Sequence, residues 1–204
     1  MNKGNLYIIS APSGAGKTSL VKEVISSLNS LSVSVSHTTR QKREGEIDGK
    51  DYFFISVEKF KMMQVDSAFL ESAQVFDNFY GTAQKTVEDT LLQGNDVILE
   101  IDWQGAQQIR KLLPTSISIF ILPPSIETLR QRLEWRGKDN AEIIARRMHD
   151  AVTEMRHYSE FDYVVVNEDF GVALNELKSI VIANRLVQAR QSHNLNTLLT
   201  DLLL

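Results

Sequence analysis

Residues 11–18 read Ala-Pro-Ser-Gly-Ala-Gly-Lys-Thr, and these types at this spacing suit the cradling of a polyphosphate. Glycines let successive backbone N–H groups turn inward around phosphate oxygens, and a following helix presents its positive N-terminal end. Lys17 supplies a mobile cation for the β- and γ-phosphates, and the Thr18 hydroxyl is suited to ligate Mg2+. The stretch matches the Walker A pattern except at its first position, where Ala11 replaces glycine; a small residue still permits the turn. An ordinary glycine turn is the plain alternative, and the flanks argue against it. Leu6-Tyr7-Ile8-Ile9 is a short run of strand formers, and Leu20, Val21, Val24, Ile25 and Leu28 recur at helical spacing. Strand, glycine loop, helix is the context the mechanism demands. It implies a nucleoside triphosphate and leaves the phosphoryl acceptor open.

A second stretch runs from Ser36 to Tyr52 and is polar, charged and punctuated by Gly45 and Gly49. Arg40 and Arg43 lie three residues apart, and arginine forks suit bidentate phosphate recognition. A solvated charged loop is an equal reading of that stretch alone. Downstream, Phe69-Leu70-Glu71 and Asn78-Phe79-Tyr80-Gly81-Thr82 add a carboxylate, a phenol and a hydroxyl. A carboxylate can accept two hydrogen bonds from the N1–H and N2–H2 edge of guanine. Adenine offers no such donor pair, so Glu71 would tell the two purines apart.

Six of the eleven arginines fall within residues 126–157: Arg130, Arg132, Arg136, Arg146, Arg147 and Arg156. Interleaved Glu and Asp residues make a salt-bridged helix pair the plain reading, and it covers Arg130, Arg146 and Arg156. Phosphoryl transfer also requires charge neutralisation beyond one lysine and a metal ion, so Arg132, Arg136 and Arg147 are the candidates to supply it. Glu100 and Asp102 are two apart and share one side of a strand, within reach of Lys17 or Thr18.

The elements that must position these groups follow from the pattern. Val97–Ile101, Ile117–Leu122 and Tyr163–Val166 read as buried strands, with helical patterns around 84–93, 104–112 and 126–156. Apolar strands alternating with helices imply a mostly parallel sheet covered on both faces. Residues 33–82 break the rhythm as a mixed insertion with short strands near 52–55 and 68–76. Pro123-Pro124 stops one strand and Ser125 can cap the next helix. Gly137 then ends that helix, and Asp139 with Glu142 opens another, which makes residues 126–157 a helix-turn-helix excursion.

The 204 residues suit one domain with moving lobes. Lys and Arg total 22 against 26 Asp and Glu, a net charge of -4, which speaks against a protein that coats nucleic acid. With no cysteine there is no disulfide, thiolate metal site or cysteine nucleophile. The four histidines lack metal-ligand spacing. Trp103 and Trp135 are expected to serve packing. The N-terminal apolar run is too short for export and no stretch reaches the roughly 18 apolar residues of a membrane span, so a cytoplasmic location without membrane partners is expected. Leu195, Leu198, Leu199, Leu202 and Leu203 follow helical spacing near the C-terminus, either docked on the core or, the favoured reading, forming a homo-oligomer contact.

Taken together, several pieces resemble the guanylate kinase family, in its bacterial form. They are Ala11–Ser19, Ser36–Tyr52, Phe69–Glu71, Tyr80-Gly81-Thr82, the run from Leu99 through Asp102-Trp103-Gln104-Gly105, Arg132 through Arg147, and Val164–Asp169. Their joint order, from about residue 5 to about residue 190, is far more specific than any one of them. The resemblance implies a P-loop NTPase-type parallel sheet core flanked by helices, with a mixed α/β GMP-binding insertion and a helical lid. The core would comprise residues 1–32, 83–125 and 158–190, the insertion 33–82, the lid 126–157 and the tail 191–204. It also implies transfer of the γ-phosphoryl group from ATP to GMP, and to dGMP, with Mg2+.

Position by position, the resemblance implies that Ala11, Pro12, Ser13, Gly14, Ala15, Gly16, Lys17, Thr18 and Ser19 hold ATP phosphates, with Asn167 near the adenine. Arg40, Arg43, Tyr52 and Tyr80 would hold the GMP phosphate. Ser36, Glu71 and Thr82 would hold the guanine. Asp102 would touch guanine or Mg2+-bound water, and Arg136 and Arg147 would close over ATP from the lid. Two rivals stand beside this reading. One is a non-catalytic module of the same fold that binds phosphorylated peptides, which usually lacks the loop lysine or lid arginines present here. The other is a kinase for another nucleoside monophosphate, which Glu71 and Ser36 speak against.

Overall fold

In the computed structural model, residues 3–75, 77–135 and 141–203 are described. Along the chain run β1 (Leu6–Ser10), α1 (Lys17–Ser27), β2 (Leu31–Val33), β3 (His37–Thr38), β4 (Phe53–Phe54), α2 (Val57–Val65), β5 (Phe69–Val75), β6 (Asn78–Ala83) and α3 (Gln84–Leu92). There follow β7 (Asp96–Glu100), α4 (Trp103–Leu112), β8 (Ile117–Leu122), α5 (Ile126–Trp135), α6 (Ala141–Met155), β9 (Tyr163–Val166), α7 (Phe170–Arg185), α8 (Gln188–Asn194) and α9 (Asn196–Leu203).

Five strands pair in the order β2-β7-β1-β8-β9, every ladder parallel. The alternation of β1 shows why both faces are covered. Tyr7 and Ile9 join Leu20, Val21, Leu177 and Val181 on one side, under α1 and α7. Leu6 and Ile8 join Val87, Leu91, Ala106 and Ile109 on the other, under α3 and α4. Successive side chains of a strand point to opposite faces, so an all-apolar strand needs a helix layer on each. β1 therefore lies central, and its C-terminal end delivers the glycine loop to the sheet's upper edge, where open α/β sheets bind ligands.

The interrupted rhythm of 33–82 corresponds to a separate four-stranded sheet, β4-β3-β6-β5, with parallel and antiparallel ladders. β3 and β4 have two residues each, which is why the sequence signal there is weak. Two elements carry no clear sequence signal. β2 is a three-residue edge strand. α2 buries only Phe60 and so has no apolar stripe, although Ser56 caps it by accepting from the Lys59 N–H at 3.2 Å.

The excursion at 126–157 contains α5 and α6, held to each other by Leu129, Leu133, Met148 and Ala151. Ser125 caps α5, accepting from the Thr128 N–H at 3.0 Å. The expected stop at Gly137 and the capping pair at Asp139 lie outside the described residues. Trp135 departs from expectation: it is 91% exposed and packs no core. Trp103 instead stacks on His157, with centroids 3.7 Å apart and planes 6° from parallel. Among the described residues no helix is long and apolar enough to cross a membrane.

Candidate active site

The glycine loop joins β1 to α1, and Gly16 is the N-cap of α1 with φ 93°. That left-handed backbone favours glycine, and space requires it as well, since a Cβ there would meet Asn167 Nδ2 at 2.4 Å. The Asn167 amide donates to the Ala15 carbonyl at 2.7 Å. Arg132 reaches the same carbonyl at 3.4 Å and the Asn167 carbonyl at 3.0 Å. Two segments distant in sequence thus fix the back of the loop. With its carbonyl held from behind, the loop presents its N–H edge and Lys17 to the cleft.

Two adjoining cavities lie in front of the loop. The larger, about 930 Å3, is lined by Ser13, Thr18, Ser36, Arg40, Arg43, Tyr52, Tyr80, Glu100 and Arg147 among others. The smaller, about 250 Å3, is lined by Ala11, Pro12, Ser13, Gly14, Gly16, Lys17, Thr18, Ser36, Tyr52, Glu71, Tyr80 and Asp102, with Glu154. The loop and the insertion sheet therefore face each other across a shared space. Of the residues singled out from sequence, Ala15, Asn167 and Arg132 stand behind the loop, and Ser19 is exposed on α1 away from both cavities. Arg132 in this geometry serves the loop backbone. Arg136 lies outside the described residues.

On the insertion side, Arg40 pairs with Glu46 at 2.7 Å, and Glu46 also accepts from the Arg43 N–H at 2.8 Å. The Arg40 guanidinium carbon lies 5.4 Å from the Tyr52 ring centroid. Tyr52 and Tyr80 meet edge to face at 5.9 Å. Burial, with Tyr80 nearby, pushes the Tyr52 phenol up to about 12, so it stays a hydrogen-bond donor. Arginines and phenols at one wall form a donor set for a phosphate.

Glu71 also lines the smaller cavity and is 4% exposed. Its Oε1 accepts from the Thr82 hydroxyl at 2.6 Å. Burial raises the carboxyl to about 7; the Thr82 hydroxyl pulls it down and Asp102 pushes it up. Thr82 is fully buried, so its part is to hold Glu71.

At the head of β7, Thr18 donates to Glu100 Oε2 at 3.0 Å, which makes Glu100 the partner of the loop hydroxyl. Asp102 caps α4, its Oδ1 accepting from the Gly105 N–H at 2.9 Å while Gln104 donates to Oδ2 at 3.1 Å. Hydroxyl and carboxylate oxygens side by side are the hard donors that Mg2+ takes.

Sequence reasoning passed over Glu154. This carboxylate of α6 accepts from the Ser13 N–H at 3.3 Å, and burial raises it to about 7 against the opposing pull of Lys17. In sequence it is one acid among many alternating with arginines, and only the fold of α6 against the loop sets it apart.

The family model described as guanylate kinase matches residues 3–184. The guanylate kinase of Methylococcus capsulatus is 55% identical over 203 residues, covering 100% of both chains. That of Hahella chejuensis is 61% identical over 186 residues, covering 91% of this chain and 89% of its own. Among solved structures, guanylate kinase from Anaplasma phagocytophilum superposes with a TM-score of 0.78 at 33% identity, covering 93% of this chain and 90% of its own.

Proposed function

The chain belongs to the guanylate kinase family and moves a phosphoryl group from ATP to GMP, giving ADP and GDP, and on that premise we propose how its residues divide the work. The observation that carries the proposal is a single cavity lined both by Lys17 and the glycine loop and by Glu71 of the insertion sheet. A cavity shared in that way would let two nucleotides meet phosphate to phosphate.

Backbone N–H groups of the loop from Ser13 to Thr18 and the Lys17 ammonium hold the ATP phosphates, with Ala11 and Pro12 shaping the entry to the loop and Ser19 following it on α1. Asn167 keeps the loop shaped and borders the adenine side. Arg40, Arg43, Tyr52 and Tyr80 hold the GMP phosphate. Glu71, fixed by Thr82 and assisted by Ser36 and Asp102, reads the guanine, whether the sugar is ribose or deoxyribose. The Thr18 hydroxyl and the Asp102 carboxylate are the groups placed to hold Mg2+, directly or through water. When bound, that ion would supply further neutralisation of phosphate charge.

The acceptor is a phosphate oxygen already ionised near neutral pH, so no strong general base is needed. Rate comes from alignment and from cations set around the transferring group. Lys17 is central, and Arg147 and Arg136 join it from the lid. Arg132 acts by holding the loop. Lys17→Ala should lower kcat by about a hundredfold or more with the melting temperature unchanged, since its charge is spent on the transition state. Near-normal turnover by that variant would contradict the assignment.

Residues 33–82 work as the GMP-binding unit and 126–157 as the lid, on the core of 1–32, 83–125 and 158–190, with 191–204 as a tail. The setting that fits these substrates is the cytoplasm. We further propose that the tail joins copies of the chain. α9 buries none of its residues, and Leu198, Leu202 and Leu203 are 50%, 69% and 82% exposed.

A further inference from the structure

Gly105 stands in the first turn of α4, where its N–H donates to the capping Asp102. Its φ lies outside the left-handed region, so the backbone there is one that any residue adopts. Alanine is the better helix former at such a position, and local structure therefore gives no reason for glycine. The reason lies across the cavity. A Cβ on Gly105 would stand 2.6 Å from Glu71 Oε2 and 3.2 Å from Glu71 Cδ. No side-chain carbon tolerates an oxygen that close.

Glu71 is thus seated between two contacts. On one side Oε1 receives the Thr82 hydroxyl at 2.6 Å, and on the other Oε2 occupies the space that a Cβ on Gly105 would need. Neither support can easily give way. Thr82 is fully buried in β6. α4 is held by the Asp102 cap and by Ala106 and Ile109 in the core, and Ile101 Cδ1 lies 3.3 Å from the same added Cβ. The movable part is the Glu71 carboxyl itself.

We infer that Gly105 is a positioning residue for guanine selection: its missing side chain sets the orientation of the Glu71 carboxylate, and any Cβ there turns that carboxylate away from the base. This rests on the reading of Glu71 as the guanine partner. It adds that selectivity depends on a residue that offers guanine no side-chain group.

The test is a cycle of Gly105→Ala, Glu71→Ala and the double variant, read as KM for GMP, KM for ATP and the preference for GMP over IMP. IMP lacks the 2-amino group, so that preference reports on the carboxylate. G105A should raise KM for GMP by about tenfold or more and reduce the preference for GMP over IMP, because a misdirected acceptor loses the discrimination that a hydrogen-bonding site provides. KM for ATP should stay within about twofold, since the loop is untouched. In the E71A background, G105A should cost nothing further, because the group it displaces has gone.

An unchanged KM for GMP in G105A, with a raised one in E71A, would overturn the inference and leave the Glu71 assignment standing. Equal costs of G105A in both backgrounds, or a lowered melting temperature with both KM values raised, would mark Gly105 as ordinary packing and overturn it too. An unchanged KM for GMP in E71A would overturn the Glu71 assignment and the inference with it.

Discussion

Glu71 and Glu154 are both carboxylates raised to about 7 by burial, and both line one cavity. For Glu71 the shift bears directly on substrate binding. Two hydrogen bonds from guanine require the ionised form, and below pH 7 the empty site holds more of the neutral acid. KM for GMP should therefore rise as pH falls below 7, approaching tenfold per pH unit well below it. The GMP phosphate has its own second ionisation near about 6 and adds to the slope. Glu71→Gln keeps the phosphate's part and loses the carboxylate's, so the difference between the two profiles isolates Glu71. Parallel profiles would contradict the assignment. At this scale legibility followed chemistry. The phosphate loop could be read because its function fixes residue types at fixed spacing, and Glu71 because guanine offers paired donors. Glu154 and Gly105 could not, since each acts through a contact between residues far apart in sequence.

α5 and α6 touch the site in different ways. α5 abuts the loop itself, with Leu129 and Leu133 carbons 3.0 and 3.1 Å from where a Cβ on Gly14 would stand. α6 brings Arg147 to the larger cavity and Glu154 to the loop. ATP held by the loop would change the charge that Arg147 and Glu154 face, and an open cleft would let water reach the transferring group. We propose that the lid and the insertion sheet close over both substrates. The radius of gyration from small-angle scattering should decrease with GMP plus a non-hydrolysable ATP analogue, and no decrease would contradict closure. Element types were legible wherever burial on both faces produced continuous apolar runs, as in β1, β7 and β8; β9, expected to be buried, is an apolar edge strand of which only Val165 is buried. β2 and α2 were not legible, because a three-residue edge strand and a helix with one buried residue leave no periodic trace. The helical pattern at the C-terminus resolves into two helices, α8 and α9.

Across the whole molecule, Asp96 ties the ends of the fold together. It is 1% exposed and accepts from the Asn5 N–H at 2.7 Å, from Arg185 at 2.7 Å and from Arg190 at 3.2 Å. Arg190 belongs to α8, so the chain is anchored up to that helix, while α9 extends an apolar face beyond it. Removing residues 196–204 should therefore lower the mass seen by light scattering without loss of activity. An unchanged mass would contradict the proposed contact between copies.

The net charge of -4 speaks against a nucleic-acid coat and says little about the ligand. Lys17, Arg40, Arg43 and Arg147 gather at one cleft, interleaved there with Glu46, Glu71, Glu100, Asp102 and Glu154. A local field of that kind is invisible in a sum over the chain. The most direct test of the account is ADP release measured across GMP, AMP, CMP, UMP and dTMP at equal concentration. The account predicts turnover with GMP at least about a hundredfold above each of the others, as expected of a site built to hydrogen-bond the guanine edge. Equal turnover with AMP and GMP would contradict it.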